Sequence, residues 1–147
     1  MKHLVLVFLL VGCGTEVTPD FVTELGWQVW TSDPVNAEDI DAATLATLDA
    51  MGIQTLPPFP SLTFVSWPFP CEFDGVEYTC LGTAGKANLK VAWQPCLPNS
   101  SFVHELIHWL RWWRDGIYDN EHPREIFDVR GSLEWTINEQ LRPELCP

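Results

Sequence analysis

Apolar residues recur at every second position in some stretches of the chain and at a helical period in others. Leu25, Trp27 and Val29 alternate as in a strand with one buried face. Over residues 37–51 the period becomes helical, with Ile40, Thr44, Leu48 and Met51 on one side. Asn36 offers that helix an N-cap and Gly52 a stop. Residues 62–67 read as a second strand, and Asp74-Gly75 marks the turn of a hairpin after it. Leu89, Val91 and Trp93 then alternate with Asn88, Lys90, Ala92 and Gln94, a half-buried strand. Residues 102–113 form the next helical pattern, between capping residues at Pro98-Asn99-Ser100-Ser101 and a stop at Asp115-Gly116. Residues 123–129 and 133–141 read as helical pieces broken at Gly131. This order predicts an α+β fold: a small twisted sheet, a backing helix, a central helix and a C-terminal helix.

The first residues read as a targeting signal. Lys2 precedes an apolar run from Leu4 to Val11 that is too short to span a bilayer. The run ends in Leu10-Val11-Gly12-Cys13, which resembles the lipobox of bacterial lipoproteins. The resemblance implies a signal peptide over residues 1–12, cleavage before Cys13, and lipid on its sulfur and amine. It places the protein in the bacterial cell envelope, and Gly14 favours the outer membrane if the host has one. Residues 13–24 then comprise the lipidated cysteine and a polar tether, and residues 25–147 one domain.

Eight tryptophans and eight phenylalanines supply a sizeable core for so short a chain. The formal charge of −12 argues against nucleic acid, which is bound through clustered Lys and Arg, and against a strongly acidic substrate. With Cys13 set aside, Cys71, Cys80, Cys96 and Cys146 are an even number in a small exported domain. None are spaced C-x-x-C, so a four-cysteine zinc site is disfavoured. A four-residue loop over positions 74–77 would set Cys71 and Cys80 opposite each other, within bridging distance. Of the three pairings that four cysteines allow, that choice leaves Cys96 with Cys146.

The candidate chemistry lies in His104-Glu105-Leu106-Ile107-His108. Histidines at i and i+4 lie one helical turn apart on one face, so their imidazoles can converge on one ion, for which Zn²⁺ is the natural candidate. Glu105, beside that pair, can reach a metal-bound water as general base without ligating the metal. An amphipathic helix can carry this pattern by chance. Histidine is scarce, however: with His3 in the signal, only His104, His108 and His122 remain, the complement of a three-histidine zinc site.

Strand, helix, strands, hairpin, strand and HExxH helix together are similar to the minimal core of the zincin metallopeptidases. The metzincin pattern is missing, because Arg111 and Arg114 replace its glycine and third histidine positions and no methionine follows. The gluzincin pattern takes a downstream glutamate, for which Glu125, Glu134 and Glu139 are available. Thirteen residues separate His108 from His122, and Phe127 completes His-x-x-x-x-Phe. That arrangement resembles the Spartan- and SprT-type zincins, whose third ligand is a histidine just before a helix. The acidic charge and lipobox do not fit their nucleic-acid role, so only ligand geometry carries over.

The resemblance implies a membrane-anchored zinc peptidase, with His104, His108 and His122 as ligands and Glu105 as general base. A peptide or protein substrate would lie extended along a sheet edge. Tyr118 is a candidate oxyanion stabiliser by its place in the loop, and Asp119 and Glu121 could orient imidazoles. Trp109, Trp112 and Trp113 either line a substrate pocket or belong to the core. The alternative is a non-catalytic envelope lipoprotein, an interaction module of the same fold whose metal is structural and closed by a fourth ligand.

Overall fold

The computed structural model describes residues 17–73, 75–92, 101–117, 122–127 and 129–145. Cys13, Cys96, Tyr118, Asp119, Glu121 and Cys146 lie outside the described residues, so the lipidation site, the second disulfide and the candidate oxyanion donor do too. In chain order the elements are β1 (Phe21–Val22), β2 (Gln28–Thr31), α1 (Ala37–Ala50), β3 (Ser61–Val65), β4 (Phe69–Phe73) and β5 (Val76–Cys80). They are followed by β6 (Gly82–Ala84), β7 (Asn88–Ala92), α2 (Ser101–Asp115) and α3 (Leu133–Leu145).

Five strands form a mixed sheet in the order β1-β2-β3-β7-β6, and β4 and β5 pair separately as a hairpin. The inner strands β2, β3 and β7 run parallel, while β1 and β6 add antiparallel edges. Parallel neighbours need a crossover, which α1 provides between β2 and β3. The fold is therefore α+β, as the element order implies.

Register and alternation decide where the core lies. Val29 pairs with Leu62 and Leu62 with Leu89, and two residues along Phe64 pairs with Val91. All five side chains are buried, whereas the neighbouring row Trp30, Thr63 and Lys90 is only half-buried. The apolar face is covered by Ile40, Ala43 and Leu48 of α1, by α2, and by Ile137 and Leu141 of α3. Phe102, Leu106, Ile107 and Leu110 of α2 are fully buried, and each such burial stabilises by about 1.5–3 kcal/mol. Trp27 stacks on Phe59 and donates its indole N–H to the buried Thr44 hydroxyl at 3.0 Å. Asn36 caps α1 as expected, its side chain accepting from Glu38 N at 3.1 Å, and Gly52 ends it with φ 67°.

Several expectations are corrected. Residues 123–127 make a single turn, not a helix: the amides of Ile126 and Phe127 both bond to the Pro123 carbonyl. The turn closes at once onto the start of α3, through Leu133 N to Glu125 O and Glu134 N to Ile126 O. The expected tether contributes β1, whose Phe21 pairs with Val29, so the ordered fold begins before residue 25. Leu25 lies in a turn before β2, not in a strand, with Gly26 at φ 98°. In the hairpin Phe73 pairs with Val76 and Cys71 with Tyr78, so the paired strands are separated by two positions instead of four. A two-residue turn of that kind needs positive φ, and Gly75 takes 77°. The Cys71–Cys80 disulfide forms on the diagonal of this register, with Cα atoms 6.0 Å apart.

Candidate metal centre

His104 and His108 share one face of α2, and the chain returns after the helix to lay His122 over them. Their Nε2 atoms form a near-equilateral triangle: 3.2 Å between His104 and His108, 3.1 Å between His104 and His122, 3.3 Å between His108 and His122. Hydrogen bonding cannot account for this figure. Each ring nitrogen either carries a proton or offers a lone pair, so at least one side of any such triangle sets like against like. Three lone pairs directed at one cation satisfy all three nitrogens together. A tetrahedral zinc ion bound at about 2.0–2.1 Å needs ligand nitrogens roughly 3.3 Å apart, which is the spacing found here. The donor set fits zinc in both type and spacing, and these three histidines form the group able to hold a metal ion among the described residues.

Two neighbours orient the triangle. Glu134, near the start of α3, brings Oε1 to 3.3 Å from His104 Nδ1, the ring nitrogen away from the triangle. Phe127, fully buried, packs against every histidine, stacked on His108 at 4.4 Å between centroids and lying 4.7 Å from His104 and 5.2 Å from His122. The turn at residues 123–127 thus explains both placements: it carries His122 at its entry and returns Phe127 beneath the imidazoles.

Glu105 points from the same helix toward the edge strand β6 and is 8 % exposed. Burial pushes its carboxyl from 4.5 up to about 7; the nearby His104 opposes the shift and the negative charge of Glu134 adds to it. The carboxylate rests against Gly82, where the backbone leaves room for it. No sequence pattern pointed to Gly82, because a three-residue strand of Gly-Thr-Ala has no apolar alternation to read.

The other glutamates weighed as third ligands do not join the cluster. Glu125 is exposed in the turn, Glu139 pairs with Arg142 at 2.8 Å, and Glu134 approaches the far nitrogen of His104. Trp109 is buried, its indole N–H donating to the Lys86 carbonyl at 3.2 Å, and Trp112 and Trp113 pack half-buried against the core. These rings belong to the core more than to any cleft. No helix among the described residues is long and apolar enough to cross a membrane. Comparison with known proteins finds no matching family model, no similar characterised protein and no similar solved structure.

Proposed function

We propose that the chain is a zinc-dependent peptidase of minimal zincin type, held at the membrane by lipid on Cys13. The observation that carries this reading is the convergence of three Nε2 atoms at zinc-ligand spacing with a buried carboxylate, Glu105, on the same helix. His104, His108 and His122 would hold the ion. Bound zinc would supply a Lewis acid for the scissile carbonyl and lower the pKa of water. Glu105 takes a proton from the attacking water on a carboxylate oxygen and returns it to the departing amine. Among the described residues β6 is the last strand of the sheet and runs beside Glu105, and an extended peptide would bind along this side of the sheet.

The test is hydrolysis of a broad peptide library by the zinc-loaded chain and its Glu105→Gln variant. The variant keeps the size of the side chain, so it should bind zinc and melt like the wild type. Its hydrolysis should fall by roughly 10²–10⁴-fold, the usual contribution of a general base. Equal activity in the variant refutes the role of Glu105. A zinc-loaded wild type that cleaves nothing leaves the non-catalytic lipoprotein as the better reading.

A further inference from the structure

We propose that Gly82 is the positioning residue for Glu105: the missing side chain at this place in the edge strand is what lets the carboxylate lie where it does. The inference rests on the reading of Glu105 as general base. Glycine is unfavourable inside a strand, and something must offset that cost. At Gly26, Gly52, Gly75, Gly116 and Gly131 a positive φ explains the residue, and a Cβ would meet nothing within 4 Å. Gly82 and Gly85 are different, since neither has φ in the left-handed region. A Cβ at Gly85 would meet Asn88 Oδ1 at 2.5 Å, whereas one at Gly82 would lie 2.5 Å from Glu105 Cγ, 2.5 Å from Oε1 and 2.8 Å from Cδ. Separations under 3.0 Å are essentially never tolerated, so one partner must move.

The strand is poorly placed to move. Gly82 pairs with Val91, and the carbonyl of Leu81 accepts from Ala92 N at 2.7 Å and from the hydroxyl of Ser101, the first residue of α2. Strand and helix are therefore fastened together next to the contact. The collision begins at Cγ, so a small rotation of the carboxylate does not relieve it. The whole side chain has to adopt another rotamer, which takes the carboxylate away from its present place. The three atoms nearest the added methyl all belong to Glu105, which is not one of the three ligands, so metal binding should survive.

The experiment is a double-mutant cycle on the full chain, using Gly82→Ala and Glu105→Ala alone and together. In metal-free protein, Gly82→Ala should lower the melting temperature by roughly 5–10 °C, as overpacking does. In the Glu105→Ala background the same change should cost nothing or raise it, because the colliding atoms are gone. If Gly82→Ala alone does not fold, folding of the double variant is the supporting result, and failure of both overturns the proposal. Zinc-loaded Gly82→Ala should keep one metal per chain and lose at least about 10-fold in kcat with KM little changed. Equal melting shifts in the two backgrounds, or an unchanged kcat, overturn the proposal. A wild-type chain without hydrolytic activity overturns the catalytic role through the reading beneath it, and a non-additive cycle then identifies that reading, not the contact, as what failed.

Discussion

Glu134 Oε1 lies 3.3 Å from His104 Nδ1, while Nε2 of the same ring faces His108 and His122. A carboxylate at Nδ1 holds the proton there and leaves the Nε2 lone pair toward the triangle. The two partners are thirty positions apart in sequence, His104 on α2 and Glu134 near the start of α3. A carboxylate–histidine contact of this kind raises the basicity of the imidazole as well as fixing its orientation.

Glu134→Ala should therefore weaken zinc binding by roughly 10–100-fold while all three ligands remain. Competition with a chromophoric chelator reads this directly. An unchanged affinity means that the contact does not tune the site.

Phe127→Ala should act on stability and metal together. The ring is fully buried and touches all three imidazoles, and its removal should cost about 3–5 kcal/mol on chemical denaturation. Zinc affinity should fall as well, because His122 loses the surface beneath it. A loss of stability with undiminished affinity would separate the core from the site.

The buried carboxyl of Glu105 predicts a pH dependence in the metal-free protein. Its folded value of about 7 stands above the ordinary 4.5, so folding favours the protonated form. That contribution is fully present below pH 4.5 and is lost as pH rises to about 7. Relative to Glu105→Gln, the wild type should lose up to about 3 kcal/mol across that window and change little above it. Bound zinc, a cation nearby, favours the carboxylate and should flatten the slope. Parallel pH profiles for the two proteins would contradict the burial argument.

The motif at Leu10-Val11-Gly12-Cys13 carries an independent prediction. Cys13→Ser should release the protein from the membrane fraction or leave it unprocessed, because the proposed lipid, not a spanning helix, holds it there. Intact processing with unchanged membrane association would rule out that anchor.

What could be read in advance follows from what is local. His104 and His108 were legible because four residues on a helix fix their relation, and α1 because Asn36, its apolar face and Gly52 lie within seventeen residues. His122 was legible from scarcity and from a resemblance, neither of which predicts distance. Residues 123–129 read as a helical piece because no local pattern shows the contacts that residues 125 and 126 make with the start of α3. The turn instead closes onto α3 and delivers Phe127 to the imidazoles. Gly82 could not have been found at all, since its reason is a contact with Glu105 on another element. Glu134 was visible as a carboxylate but not as the partner of Nδ1, a distinction only the packing of α3 against α2 makes.

The central claim is most directly tested by metal content. Protein purified without chelator, or reconstituted with zinc and desalted, should contain one zinc per chain by mass spectrometry of the metal. His104→Ala, His108→Ala and His122→Ala should each lose it, and Glu105→Gln should keep it. Wild-type protein that neither retains zinc nor takes it up would contradict the account, whatever the spacing of its three histidines.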